Sequence, residues 1–196
     1  MNGTSANVAV WCAVAAAALA LTLSSPITAA QTKSNEESPK IENQDAFTVV
    51  GIAARTNNAK EAGPDGIIGK QWGRFFGEGV AAKIPDRADE NIVAVYTDYA
   101  SDVNGDYTFL LGVRVTKADS VPDGMVAKTV PAGRYAVFTS ERGQVQRVVV
   151  DTWKRIWATP KTALGGERSF KSDFELYDQR ARNPADSVVE IHIGVR

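Results

Sequence analysis

The sequence is poor in cysteine and histidine, the residues that most often bind zinc, form disulfides or act as thiol nucleophiles. Its 196 residues include one cysteine, Cys12, and one histidine, His192. A zinc site needs several such ligands held together, and the chain has neither a phosphate-cradling glycine motif nor a nucleophile elbow around a serine. We therefore expect no metal and no other cofactor. His192 lies on the polar side of an alternating run, so we expect it to be a solvated strand residue.

Charged side chains are absent from the first thirty residues. An apolar run over residues 8–23 is followed by "SSPITAA", which ends at Ala30. This pattern predicts a signal peptide over residues 1–30, cleaved after Ala30, and an exported protein of the periplasm or extracellular space. A retained membrane anchor is the alternative, although the run is short for one. After cleavage we expect no stable membrane anchor and no cysteine, because Cys12 is removed.

Beyond residue 30 the charges balance, with 22 basic and 23 acidic residues. The chain shows no basic stripe, so nucleic acid is not an expected partner. Residues 31–46 are polar with almost no large apolar side chains, which predicts a flexible linker. The folded domain is predicted to cover residues 47–196. The sequence predicts nothing about the oligomeric state.

Two helix candidates share one apolar pattern. "GIIGKQWGRFFG" (66–77) and "RVVVDTWKRIWA" (147–158) both carry large apolar residues at i, i+4, i+7 and i+8. That spacing places the apolar residues on one helical face. Trp72 and Trp153 occupy the same place in the pattern, 81 positions apart.

The predicted strands repeat at nearly the same interval. "IVAVYTDY" (92–99) matches "SDFELYDQ" (172–179), which sets Tyr96 against Tyr177 at an offset of 81. "LLGVR" resembles "HIGVR", and "VVGIAA" pairs with "PAGRYA". The sequence therefore predicts an α+β fold of two duplicated strand–helix–strand–strand halves, related by pseudo-twofold symmetry, with a cleft between them.

The two halves differ at positions that carry chemistry. Glu175 aligns with Ala94, and Tyr135 aligns with Ala53. If the helices cover the Phe174 side of its strand, Glu175 points into the cleft among aromatic rings. Burial there would raise the pKa of the carboxyl group, and a bound cation would offset the cost of its charge. The alternative is a Glu175 that faces solvent or pairs with an arginine such as Arg134 or Arg180.

Aromatic residues around this carboxylate complete the predicted ligand site. Helical spacing favours Trp72, Trp153 and Phe75 as core residues, and ordinary packing is a slightly better explanation of Tyr135 than a place in a pocket wall. Rings beside a cation would add cation–π attraction of about 0.5–2 kcal/mol each. The predicted ligand-binding residues are Glu175, Tyr135, Tyr177, Tyr96, Trp72 and Trp157.

The ordered set "IGKQWGRFF", "AVYTDYASDVNGDYTFLLGVRV", "VPAGRYAVF", "FELYD" and "VVEIHIGV" resembles the GyrI-like small-molecule-binding domain. This domain is the effector-binding part of AraC-type and MerR-type multidrug-responsive regulators, and the resemblance covers about residues 47–196. It implies an aromatic cleft for hydrophobic and often cationic compounds, with the family's pocket carboxylate at Glu175 and its strand tyrosine at Tyr135. Some stand-alone relatives resemble hydrolases of strained cyclopropane compounds, which would make Glu175 the catalytic acid/base and Tyr135 its partner.

The chain departs from the family pattern in three places. "WATP" at the end of the second helix has one residue more than the usual "WLP", and Gly194 stands where the closing strand usually has proline. Where relatives have a DNA-binding module, we expect a signal peptide in this chain. We therefore do not expect a cytoplasmic regulator.

Three functions follow from these observations. The first is an exported, stand-alone domain that binds small amphipathic or cationic molecules. The second is a hydrolase of strained or electrophilic molecules that uses Glu175. The third is a protein that inhibits or binds another protein, as the gyrase-inhibitor branch of the resembled family suggests. The sequence does not name the ligand and does not decide whether the protein is an enzyme.

Overall fold

An eight-stranded antiparallel sheet dominates the computed structural model, which describes residues 38–196. The strand order is β1-β6-β8-β7-β3-β4-β2-β5. The predicted signal peptide lies outside the described residues. Within residues 38–196, no helix combines the length and the apolar character needed to span a membrane. The strands are β1 (Lys40–Gln44), β2 (Phe47–Thr56), β3 (Arg87–Thr97), β4 (Tyr107–Val115), β5 (Val126–Val130), β6 (Gly133–Thr139), β7 (Arg168–Tyr177) and β8 (Glu190–Val195).

The two long helices form where the apolar periodicity predicted them. They are α2 (Ile68–Gly77) and α4 (Val145–Ala158), and both predictions are confirmed. Two single-turn helices were not predicted, α1 (Asn58–Glu61) and α3 (Val80–Lys83). The Glu61 carboxylate at the end of α1 accepts hydrogen bonds from the amides of Ile67 and Ile68. Glu61 thereby binds backbone amides at the start of α2 that have no partner within the helix. The N-cap residue, Ile67, has no side chain that could bind them.

Both long helices pack on the sheet face that carries Glu175. Trp72 and Phe75 of α2 are buried against Ala94 and Tyr96 of β3. On α4, Ile156 is buried against side chains of β8. The expectation that the helices cover the Phe174 side of β7 is therefore wrong. Strand alternation separates the two faces but does not say which of them the helices cover.

The opposite face, which carries Phe174, is covered by the curved sheet itself. β5 is the last strand at one end of the sheet, and β6 is the second strand from the other end. Only residues 131 and 132 connect these two strands. Three Cα–Cα steps span at most about 11 Å, so the sheet must curve until its ends approach each other. Val130, at the end of β5, and Tyr135, in β6, accordingly share one buried cluster with Phe174.

The folded domain begins earlier than the sequence predicted. The predicted linker, residues 31–46, overlaps β1, which pairs with β6 along its whole length. β1 contains one large apolar residue, Ile41, which is 38% exposed. Its pairing rests on backbone hydrogen bonds at a sheet edge, and such bonds leave little trace in the hydrophobic pattern.

His192 is another departure from expectation. It is 4% exposed rather than solvated, and its ring stacks on Phe174 with centroids 4.2 Å apart. The side of β8 that looked polar in the sequence therefore faces the interior of the curved sheet. Curvature removes water from a face that a flat sheet would leave exposed.

Candidate functional site

Glu175 lies in the middle of the sheet, and its carboxylate is surrounded by hydrogen-bond donors. It is 2% exposed. Oε1 accepts a hydrogen bond from the Tyr96 hydroxyl at 2.8 Å and one from the Trp153 indole Nε1 at 2.6 Å. Oε2 accepts one from the Tyr177 hydroxyl at 2.6 Å. Three neutral donors from two strands and one helix thus hold both oxygens.

Local structure explains how these groups meet. Glu175 and Tyr177 are two residues apart on β7, so they share a face. Ala94 on β3 is the direct neighbour of Glu175 across the strand pair, and its small side chain leaves room for the carboxylate. Trp153 reaches the same point from α4.

Burial is the main cause that raises the pKa of Glu175 above its ordinary value. The hydrogen bonds from Trp153, Tyr177 and Tyr96 lower it again in part. Burial, and then the charge of Glu175, raises the pKa of both tyrosines well above 10. Both hydroxyls therefore keep their protons and remain donors. A carboxyl group in this state can attract a cation or exchange a proton with a bound molecule.

Asp173 provides a comparison within the same strand. It is also fully buried, but Arg168 forms an ion pair with it. The Tyr99 hydroxyl donates to its Oδ2 at 2.7 Å, and the Gly194 amide donates to Oδ1 at 2.9 Å. Proline at position 194 would have no N–H to donate to Asp173. Glycine in place of the family's usual proline therefore allows this hydrogen bond. In residues 38–196, no basic side chain pairs with Glu175 as Arg168 does with Asp173.

A cavity of about 800 Å³ lies beside this cluster, between α2, the start of α4 and residues 178–185. Trp72, Phe76 and Tyr177 form part of its wall. The Trp72 and Tyr177 rings pack edge-to-face with their centroids 4.8 Å apart. Trp72 also stacks on Phe76, with a centroid separation of 5.7 Å. Glu175 is not part of the cavity wall. Tyr177 separates the two, since its ring faces the cavity and its hydroxyl binds the carboxylate.

The charged side chains at the cavity wall are all in ion pairs. Asp178, Glu90 and Arg182 line it. Arg182 forms an ion pair with Glu90, and Asp178 pairs with Arg180 on the surface. No cluster of three His, Cys, Asp or Glu side chains suited to a metal ion occurs in the part of the chain that the structure describes. The arrangement is therefore suited to an organic molecule with aromatic contacts.

The structure brings most of the predicted site residues together. Tyr96 and Tyr177 bind Glu175 directly, and Trp72 lies one ring further away. Trp157 is 54% exposed, and its ring centroid lies 6.0 Å from that of Trp153. It does not line the cavity. The direct hydrogen bond from Trp153 was not predicted. The repeat that pairs Trp153 with Trp72 is the sequence signal that could have suggested it.

Tyr135 is not brought to this cluster. It is 2% exposed on the opposite face of the sheet, and its hydroxyl donates to the Pro131 carbonyl at 2.9 Å. The alternative interpretation of Glu175 is also wrong, because it is neither solvent-facing nor paired with an arginine. Arg134 binds the Gly165 carbonyl, and Arg180 pairs with Asp178 and Glu190.

Sequence comparison places the chain among known proteins. Residues 40–195 match the family described as integron-associated effector binding protein, Cass2. The Bacillus subtilis (strain 168) protein YobU, named as a candidate transcriptional regulator, is 35% identical over 147 residues, which cover 74% of this chain and 90% of YobU. The transcriptional regulator BrlR of Pseudomonas aeruginosa is 32% identical over 158 residues, or 80% of this chain. The match spans only 54% of BrlR.

Solved structures agree with this assignment. The integron cassette protein VCH_CASS2 from the mobile metagenome of Vibrio cholerae superposes with a TM-score of 0.64 at 29% identity, covering 82% of this chain and 97% of its own. SAV2435, solved bound to tetraphenylphosphonium, superposes with a TM-score of 0.66 at 18% identity, covering 81% and 93% of the two chains. The resemblance to the GyrI-like domain is confirmed, and the chain belongs to the family of integron-associated effector-binding proteins.

Proposed function

We propose that this effector-binding domain takes up lipophilic organic cations in the cavity beside Tyr177, with Glu175 as the compensating charge. One observation carries the proposal: Glu175 is a buried carboxylate with three neutral donors and no cationic partner among residues 38–196. A buried, unpaired charge costs several kcal/mol, and a bound cation would offset part of that cost. Asp173, which has Arg168 as its partner, needs no such ligand.

The cavity supports this proposal by size and by lining. Its volume of about 800 Å³ lies within the range of sites for small molecules. The Trp72, Phe76 and Tyr177 rings supply apolar surface and faces for cation–π contacts. SAV2435, a distant neighbour with the same fold, was solved with a lipophilic cation, and we extend that ligand class to this chain as a proposal.

Tyr177 has a specific role in this proposal. A cation on its ring lies one hydrogen bond away from the carboxylate, because the hydroxyl donates to Glu175 Oε2 at 2.6 Å. A hydroxyl that donates to a carboxylate also makes its own ring more electron-rich, which strengthens the cation–π contact. The ligand therefore senses the buried charge without having to enter the sheet.

The test is titration with tetraphenylphosphonium followed by tryptophan fluorescence, since Trp72 lines the cavity. Wild type is compared with Glu175→Gln and with Glu141→Gln, a control that removes an exposed carboxylate. We expect weaker binding in Glu175→Gln alone. Equal weakening in both variants would show only a general charge effect and would contradict the proposal.

A hydrolase is the second candidate, and the raised pKa of Glu175 favours it, since that is a property of general acids and bases. Tyr135 cannot assist, because the sheet separates it from Glu175. Tyr96 and Tyr177 are the phenols within reach. Turnover of a strained electrophile by wild type, lost in Glu175→Gln, would support an enzyme. Binding without turnover would remove this candidate.

Export also remains part of the proposal. Its support is the uncharged apolar segment before Ala30. Expression of the full chain in a bacterial host, followed by fractionation and mass spectrometry, tests it. We expect a product that begins at Gln31 in the exported fraction. A full-length product confined to the cytoplasm would contradict export and leave the ligand proposal intact.

Duplication of an ancestral half is proposed for the fold. The strand order supports it, because β6-β8-β7 and β3-β4-β2 run in mirrored order about the β7–β3 pair. Ala94 and Glu175, related by the repeat, are direct neighbours across that pair. A carboxylate at both positions would put two like charges opposite each other, which is destabilising. The repeat thus explains why one half carries the acid and the other an alanine.

A further inference from the structure

The cavity beside Tyr177 extends along β3 beyond the end of β7. Ile92 and Tyr177 form the last residue pair between these two strands, and both line the cavity. β3 begins five residues before Ile92, at Arg87, where β7 no longer pairs with it. Glu90 lies on this unpaired stretch and also lines the cavity. The cavity therefore has an inner end at the Tyr177 ring and an outer end at Glu90.

The outer end of the cavity already holds a cation that the chain itself supplies. The Arg182 guanidinium forms an ion pair with Glu90, and both residues line the cavity. Their side chains are 67% and 77% exposed. An ion pair this exposed contributes little, because water screens it and two long side chains lose their freedom in forming it. Another cation can therefore replace Arg182 beside Glu90 at little cost.

The second ion pair at the cavity wall is held more firmly. Arg180 pairs with Asp178 at 2.7 Å and with Glu190 at 2.8 Å, so one guanidinium serves two carboxylates. Its backbone is also fixed, since the Arg180 carbonyl accepts a hydrogen bond from the Val188 amide at 3.1 Å. Displacement of Arg180 would leave both carboxylates without their partner. Of the two acidic residues in the cavity wall, Glu90 is therefore the one that a ligand can reach.

The separation of Glu90 from Glu175 limits the shape of a ligand that uses both. Ala94 lies directly opposite Glu175 in the β3–β7 pair, and Glu90 is four residues from Ala94 along β3. Four residues of a strand span at most about 13 Å. The wall between the two ends includes Ile92 and the Tyr177 ring, which suits an apolar spacer. A ligand that uses both carboxylates therefore needs two charges at the ends of an apolar chain.

We propose that this cavity takes elongated dications. One cationic group binds the Tyr177 ring near Glu175, as in the proposed function on which this inference rests. The other binds Glu90 in place of Arg182, and the spacer lies along Ile92. Aromatic rings are known to recognise quaternary ammonium groups, so bis-quaternary compounds are suitable probes. A volume of about 800 Å³ lies toward the upper end of the range for small-molecule sites and leaves room for such a length.

The experiment compares two ligands of the same shape by isothermal titration calorimetry. Decamethonium has two trimethylammonium groups joined by ten methylene groups, and its isostere has a neutral tert-butyl group in place of one of them. Glu90→Gln and Arg182→Gln are the test variants. Glu167→Gln is the matched control, because Glu167 also forms an exposed ion pair, with Arg196, and lies outside the cavity wall.

We expect Glu90→Gln to weaken the binding of decamethonium about threefold more than the binding of the isostere. Arg182→Gln should strengthen decamethonium binding about threefold, because Glu90 no longer has a competing partner. Glu167→Gln should change neither affinity. Equal losses for the two ligands in Glu90→Gln, or the same loss in Glu167→Gln, would overturn the inference.

Glu175→Gln separates this inference from the proposed function. It should weaken both ligands, because both place a cation beside Tyr177. If Glu175→Gln weakens both ligands and Glu90→Gln does not distinguish them, the dication inference alone is wrong. If Glu175→Gln weakens neither ligand, the proposed function is wrong and this inference is wrong with it.

Discussion

Replacement of Glu175 by glutamine removes the proposed compensating charge and leaves the surrounding geometry nearly unchanged. The amide oxygen can still accept from Tyr96 and Trp153, which donate to Oε1 at 2.8 and 2.6 Å. The amide nitrogen can donate to the Tyr177 oxygen, whose own hydrogen can turn away. We therefore expect the fold to be retained, with a loss in the free energy of unfolding of no more than about 1 kcal/mol; removal of the buried charge can only offset that loss.

The expected loss of cation affinity follows from Coulomb's law. A cation over the Tyr177 ring lies within about 6 Å of the ring centre. We take about 6 Å as the distance between this cation and the Glu175 carboxylate as well. With an effective dielectric constant of about 20, the attraction is about 3 kcal/mol, or about a hundredfold in Kd. The attraction should depend only weakly on salt, because Glu175 is 2% exposed and a buried charge is poorly screened.

The assay compares three compounds of similar shape: tetraphenylphosphonium, neutral triphenylphosphine oxide and anionic tetraphenylborate. Isothermal titration calorimetry of wild type and Glu175→Gln gives the six affinities. We expect the variant to lose affinity for the cation, to keep its affinity for the neutral compound and to gain affinity for the anion. A loss below about threefold for the cation, or an equal loss for the neutral compound, would refute the electrostatic argument.

Three further predictions concern pH, a buried ion pair and strand packing. Burial raises the pKa of Glu175, so the folded protein holds that proton more tightly than the unfolded chain does. The protonated Glu175 therefore contributes stability at low pH, and this contribution is lost as the pH rises through the raised pKa. Cation affinity rises over the same pH window, because the carboxylate becomes charged. Calorimetry at a series of pH values, with Glu175→Gln as the control, tests both expectations. Asp173→Asn leaves the half-buried Arg168 without its anion and should cost about 3 kcal/mol in urea unfolding, so a cost below about 1 kcal/mol would contradict the pairing argument. Gly51→Ala places a Cβ 2.1 Å from the Leu111 carbonyl oxygen, whereas Gly133, its counterpart in the repeat, has no atom nearer than 4.0 Å. We expect Gly51→Ala to lose about 3 kcal/mol or fail to fold and Gly133→Ala to change stability by about 1 kcal/mol at most; equal effects would contradict the packing.

Much of the fold could be predicted because its elements follow local periodicity. The spacing of Trp72 and Trp153 with their apolar neighbours predicted α2 and α4 nearly to their ends. β1 was missed because it is a polar edge strand whose stabilisation comes from backbone pairing with β6. Hydrophobic patterns report side-chain burial, and β1 has little of it.

The candidate site was predictable in part. The asymmetry between Glu175 and Ala94 identified the carboxylate, and alternation placed Tyr177 beside it. Tyr135 was placed wrongly beside Glu175, since alternation along β6 does not say how that face relates to a face of β7. In the structure the two side chains lie on opposite sides of one continuous sheet.

The amino-acid order alone determined the two amphipathic helices and the position of an acid in an otherwise apolar strand, because each depends on residues close together in the chain. The repeat in the sequence was visible for the same reason, since it is the recurrence of such local patterns about 81 positions later. Only the folded structure decided which sheet face the helices cover, that Trp153 completes the shell around Glu175, and that Tyr135 lies on the opposite face of the sheet. These outcomes depend on the curvature of eight strands, which brings β5 and β6 together across a two-residue connection. Such curvature is set by contacts among residues far apart in the chain, and no local pattern encodes it.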